Sequence, residues 1–225
     1  MKRALAQVAL LTGKDLRIEA RGRQTVGLMA VLGVLIIVVL GLGLGGQERL
    51  SAFSATTVLW VAYLFAGVLC FEKTMAVERN DAVLAALLMA PVDRSVLYAA
   101  KLLSNLALMI LVVLVVTPVG VLLFGFDLSQ HPLSFVAVMG LSIVGFAAVG
   151  TLFAAVVSST RLQGGLLAMM VFPVTLPLVI VSTHLMLRQF RDGVTPGGTA
   201  LGVLIAFDVI FITASWLIFE WALEP

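Results

Sequence analysis

Charge is scarce in this chain of 225 residues: Asp, Glu, Lys and Arg make up 12% of it, about half the share of a soluble domain. Hydrophobic residues make up 61%, too many for a water-facing globule to cover with polar surface. The balance also excludes disorder, a collagen repeat and a disulfide scaffold. Cys70 is the single cysteine, so no intrachain disulfide can form and the fold needs no oxidising compartment. A net charge of +2 gives no argument for nucleic acid.

The parts of an enzyme are missing as well. There is no G-x-x-x-x-G-K-[ST] phosphate loop, so ATP is not bound in that way. No H-E-x-x-H, G-x-S-x-G or cluster of His and Cys occurs, which leaves metal hydrolysis and serine catalysis without their groups. Gly41, Gly43 and Gly46 fit G-x-G-x-x-G only formally, because they end an apolar run with no strand before them. No catalytic, cofactor or metal site is therefore expected on this chain.

What remains is an all-α polytopic membrane protein. A bilayer core of about 30 Å needs about 20 mostly apolar residues per helix. Six stretches qualify: Thr25–Gly45, Ser51–Cys70, Leu102–Phe124, Pro132–Val157, Gln163–Leu187 and Thr199–Ala222. They form one transmembrane domain over residues 1–225. The first is read as retained, since it follows a long polar segment and lacks an A-x-A-like cleavage site. Eleven Lys and Arg fall on the side of the N-terminus and the second and fourth loops, against three on the other. Both termini are therefore expected to be cytoplasmic.

Two cytoplasmic segments stand out. In residues 1–24, Leu5, Val8, Leu11, Leu16 and Ile18 recur with partial helical periodicity among Lys14, Asp15, Arg17, Glu19 and Arg21. This suits an interfacial helix with its basic side toward anionic membrane lipid. A charged anchor is the alternative, and Gly13 interrupts the pattern. The second segment, 71–100, is the longest loop. It opens with Glu72, Lys73, Glu78, Arg79 and Asp81, turns apolar over Ala82–Ala90 and breaks at Pro91, with Asp93 and Arg94 beyond. Nine apolar residues are too few to span, so this part lies flat or is covered by a partner. A plain connector is the competing reading.

Within the spans, Asp208 is out of place, because an ionised carboxylate there costs at least about 2.5–3.5 kcal/mol. It must face the bundle interior, a partner chain or water, or stay protonated. Pro118, Pro173 and Pro177 each remove a backbone donor, and the last two are expected to bend or partly break the fifth span. His131 and His184 lie near the outer face, where they are haem-side candidates or plain boundary residues. Glu220, beside Trp216 and Trp221, is close enough to the interface to snorkel.

Six spans, a basic N-terminal helix and a long second loop resemble an ABC-2-type exporter permease. The loop of that class carries E-R-x-x-G-x-L-E-x-L, then Pro and Lys. Glu78, Arg79, Leu84, Leu87, Pro91 and Lys101 match, while Ala82 and Ala85 replace the Gly and the second Glu. More narrowly, Lys14-Asp-Leu-Arg17, Ala99-Ala-Lys101 and Phe172-Pro-Val-Thr-Leu-Pro-Leu-Val179 resemble the haem exporter protein B (CcmB) family of bacterial cytochrome c maturation.

That resemblance implies a non-enzymatic permease in the bacterial inner membrane. It implies two cytoplasmic ABC ATPase subunits that bind ATP, a second permease copy and small haem-handling membrane proteins. Glu78, Arg79, Asp81, Pro91, Asp93 and Arg94 would meet the ATPase. Hydrolysis would drive haem export, or release of a haem-loaded chaperone. The missing His and Cys cluster favours the mechanical alternative. A permease for a lipid, polysaccharide or drug, and an ATPase-independent carrier or scaffold, are the other readings. A proton-driven carrier would need more than one intramembrane acid.

Overall fold

A computed structural model of the chain describes residues 2–22, 24–45, 51–80, 93–125, 132–158, 165–193 and 195–222, with backbone alone at 2, 45, 76–80 and 220–222. The described residues form helices α1 (Lys2–Gly22), α2 (Gln24–Gly45), α3 (Ala52–Asn80), α4 (Arg94–Phe124), α5 (Pro132–Ser158), α6 (Leu166–Asp192) and α7 (Gly198–Ala222). Six of them, α2 to α7, are long and apolar enough to cross a membrane. Leu28, Val31, Leu35, Val39 and Leu42 of α2 are exposed in a row, as are Val203, Val209, Ile210 and Leu217 of α7. Such continuous apolar surface fits hydrocarbon rather than water.

The helix ends correct the expected boundaries. The stretch 71–100 is not one loop: α3 continues to Asn80 and α4 already begins at Arg94. Hydropathy marks where hydrocarbon ends, whereas a helix ends where its backbone loses support. Glu72 and Lys73 are exposed helix formers, and Phe71 and Met75 on the other side remain buried, so α3 runs on. At 1.5 Å per residue, α3 and α4 are about 43 and 46 Å long, well beyond a hydrocarbon core of about 30 Å.

Gly13 does not interrupt α1. Open space surrounds the place where its Cβ would stand, so its cost is the intrinsic one of about 1 kcal/mol. Contacts made by Thr12 and Asp15 on either side offset that cost. Pro173 and Pro177 do not break α6, which is continuous from Leu166 to Asp192. One proline removes one backbone bond, and the flanking ladder holds. Both rings sit on the exposed face four residues apart, away from the packed side. α4 likewise continues through Pro118, whose ring lines an apolar groove of about 690 Å³ between α4 and α5.

α3 and α5 are the centre of the bundle. Of their apolar stretches 61% and 72% are buried, against 22% for α2 and 17% for α7. Lipid tails are as apolar as leucine, so close packing must hold these two helices together. They interlock reciprocally: Phe146 of α5 lies over Gly67 of α3, and Phe71 of α3 lies over Gly150 of α5. The two rings meet edge to face with centroids 5.2 Å apart. Each glycine leaves room that a methyl group would occupy.

Gly150→Ala should therefore lower stability by about 1–3 kcal/mol, the usual cost of overpacking, read as a lower unfolding temperature in detergent. Gly27→Ala, which meets open space, should raise that temperature slightly, stabilising by at most the helix propensity of about 1 kcal/mol. Equal behaviour of the two variants would contradict the interlock.

Candidate coupling site

A network of polar side chains joins α1 to the start of α4. Lys101 is only 3% exposed, two turns into α4, and its Nζ donates to Asp15 Oδ2 of α1 at 2.7 Å. Ser104 Oγ donates to the same oxygen at 3.4 Å, and Thr12 Oγ1 donates to the Ala100 carbonyl at 3.3 Å. Asp15 also takes an ion pair from Lys14 at 3.2 Å. One turn further on α1, Glu19 Oε1 accepts the Val26 N–H at 2.9 Å. That bond satisfies a donor in the first turn of α2, which has no partner within its own helix. Both acids of this part of α1 thus hold it to the bundle.

One turn beyond Lys101 on the same side of α4 lies Asn105, fully buried. Its Nδ2 donates to Thr151 Oγ1 of α5 at 2.9 Å, and its Oδ1 accepts from Thr74 Oγ1 of α3 at 2.9 Å. The Cys70 thiol approaches the same oxygen at 3.9 Å. Residues 101 to 105 of α4 therefore fasten α1, α3 and α5 at one level. Tyr98, one turn earlier, packs on Phe219 of α7 with ring centroids 5.1 Å apart.

The expected coupling residues flank this cluster. Asp93, exposed, and Arg94, half-buried, open α4. Glu78 and Arg79 fall in the last turn of α3, with their side chains outside the described residues. Asp81 and Pro91 lie outside the described residues. The structure thus places the described backbone of this set at the two helix ends that bracket residues 81–92.

The other singled-out residues are elsewhere. Asp208 of α7 is 5% exposed and faces the bundle interior, against Gly145 of α5, with Phe207 and Leu178 beside that glycine. Its Oδ1 has no hydrogen-bond partner among the described residues. Gly145 is what admits it, since a Cβ there would collide with the carboxylate. Pro173 and Pro177 lie on the outer face of α6, and His184 is exposed two turns before the end of that helix. His131 lies outside the described residues. No three His, Cys, Asp or Glu come together among the described residues in a way that could hold a metal ion.

Reading the sequence missed the Asp15–Lys101 pair and the Asn105 cluster. Counted by hydropathy, Lys101 falls among the basic residues of the second cytoplasmic loop, although an apolar run follows it directly and no acid stands within four residues. A lysine so placed needs a distant counter-charge. Its complement was the acid in Lys14-Asp-Leu-Arg17, on the same side of the membrane by topology.

Six membrane-length helices, closed by a polar clamp at one end, define a multi-pass membrane protein. A family model described as "CcmB protein" matches residues 6–224. The chain belongs to the CcmB family. It is similar to Heme exporter protein B of Rhodobacter capsulatus, 24% identical over 178 residues that cover 79% of this chain and 81% of the relative. It is also similar to Heme exporter protein B of Bradyrhizobium diazoefficiens, 25% identical over 181 residues, 78% of this chain and 79% of the relative.

Removing one partner of a buried ion pair strands the other, at about 3–5 kcal/mol. Asp15 retains 15% exposure, so Lys101→Met should cost about 3 kcal/mol, the low end of that range. The double variant Asp15→Leu with Lys101→Met should recover most of the loss. Thermal unfolding in detergent checks both. Single and double variants that all unfold like the parent would show that the pair holds nothing.

Proposed function

We propose that the chain is the transmembrane permease subunit of an ABC-type complex of cytochrome c maturation, converting ATP hydrolysis on a partner into helix rearrangement. Its similarity to Heme exporter protein B supports the complex. The observation that carries the mechanism is the clamp: α3 and α4 reach past the bilayer length on either side of residues 81–92, and α4 is tied within two turns to α1, α3 and α5. A force applied at that end reaches four helices without depending on a flexible loop.

In this reading a cytoplasmic ABC ATPase, two copies to two of the permease, docks on the surface made by Glu78, Arg79, Asp81, Pro91, Asp93 and Arg94. Small haem-handling membrane proteins complete the assembly, which lies in the bacterial inner membrane. Lys and Arg are concentrated on the side of the N-terminus, so both termini are cytoplasmic and the clamp faces the ATPase. The permease itself carries out no chemistry; ATP is bound and cleaved on the partner. The work delivered is haem export or, as the mechanical alternative, release of a haem-loaded chaperone. A unit that moves as one piece suits the second, which asks for a conformational stroke rather than a lined channel.

Arg79→Glu and Arg94→Glu test the docking surface in the purified complex and in cells. Each variant should keep the thermal stability of the parent while cytochrome c maturation falls to the level of a deletion strain. ATP hydrolysis should either persist uncoupled or be lost with the co-purifying ATPase. Normal maturation in both variants would overturn the assignment of these residues. Failure of any ABC ATPase to co-purify with the unaltered chain would overturn the function itself.

A further inference from the structure

Charge on α1 is sorted by face. Asp15 and Glu19 point into the bundle, where Lys101 and the Val26 N–H engage them. Lys14, Arg17 and Arg21 stand on the other side, with Leu10 and Ile18 between and before them. These five residues recur at helical spacing along one face and line an open cavity of about 330 Å³. Leu10 is 73% exposed and Ile18 48%, and Arg17 and Arg21 are exposed too. Lys14 is partly engaged by Asp15, whereas neither arginine is paired with an acid among the described residues.

The position of this face selects its occupant. Residue 23 alone separates α1 from α2, a membrane-length helix. Arg21 is therefore three residues from the start of a span, which places it at the depth of lipid headgroups. Two guanidiniums there can each hold a phosphate oxygen pair in a fixed fork. Exposed Leu10 before the cations and Ile18 among them match the boundary between headgroup and acyl chain.

We propose that Lys14, Arg17 and Arg21, with Leu10 and Ile18, form a binding site for one anionic phospholipid, phosphate against the arginines and acyl chain along the aliphatic residues. The site sits on the outer face of the helix whose inner face makes the Asp15–Lys101 clamp. A bound headgroup would therefore hold α1 flat while α4 pulls on its opposite side. This goes beyond the proposed function and does not depend on the identity of the transported or released species.

The test is native mass spectrometry of the full chain in detergent, titrated with phosphatidylglycerol or phosphatidylcholine. Juxtamembrane basic residues contribute about 1 kcal/mol each, so Arg17→Gln with Arg21→Gln should weaken phosphatidylglycerol binding by about 10- to 30-fold. Phosphatidylcholine, whose choline offsets its phosphate, should bind more weakly and lose less, and Arg17→Lys with Arg21→Lys should restore only part of the phosphatidylglycerol affinity, since an ammonium keeps the charge but not the fork. In the unaltered chain, photoactivatable phosphatidylglycerol should crosslink to the peptide spanning residues 10–21, a readout that requires no variant. Unchanged phosphatidylglycerol binding in the Gln variant, or crosslinks that avoid this peptide, would overturn the site. So would displacement of the lipid by equimolar inorganic phosphate, which would mark a soluble anion as the occupant. Loss of the ATPase partner from the Gln variant with lipid binding intact would instead mark the face as a protein interface.

Discussion

An ammonium group as far from water as that of Lys101, 3% exposed, has to be met by an opposite charge. That requirement brings Asp15 to within 2.7 Å and with it the whole of α1. Without the pair, α1 would be held to the bundle by the Thr12 bond to Ala100, the Glu19 bond to Val26 and the packing of Leu11 and Leu16 on the core. With it, the N-terminal helix becomes a lateral extension of α4. Asn105, one turn on, ties the same stretch of α4 to α3 and α5. The electrostatic demand of one lysine thus organises the end of the molecule where coupling to a partner is proposed.

The two halves of the architecture rest on different physics. In the bilayer, where burial of apolar surface gains nothing over lipid, α3 and α5 are joined by shape, aromatic rings seated on glycines. At the α1 end, where Lys101 and Asn105 are buried from water, the joints are charged and hydrogen-bonded. The first kind is tight and tolerates little displacement. The second kind is directional and costly to break once buried, which keeps α1 and the start of α4 together as one piece. Asp208 belongs to neither class. Its carboxyl group is buried against Gly145 with one oxygen unpartnered among the described residues.

Much of this fold could be read in the residues. Six apolar runs of membrane length became six helices, since a bilayer imposes a length on any helix that crosses it. Their ends could not be read in the same way. Glu72 and Lys73 end an apolar run without ending α3, and Gly13 blurs the pattern of an N-terminal helix that tertiary contacts hold together. Pro173 and Pro177 suggested a broken helix because their placement on the outer face of α6 depends on packing. The clamp was half visible. Lys14-Asp-Leu-Arg17 and Ala99-Ala-Lys101 stood out as motifs, but Asp15 and Lys101 are 86 residues apart. Only the arrangement of the bundle brings them into contact.

In the proposed complex, α1 and the start of α4 move as one body when an ATPase partner turns over. Thr12, whose hydroxyl is bonded to the Ala100 carbonyl, offers a place to weld them. A complex carrying Thr12→Cys and Ala100→Cys, bridged by oxidation or a short bis-maleimide, would be compared with its unbridged form for cytochrome c maturation and ATP hydrolysis. A single rigid unit predicts that both activities survive the bridge. Loss of maturation on bridging, restored when an oxidative bridge is reduced, would show that α1 and α4 must separate during the cycle and would contradict the account.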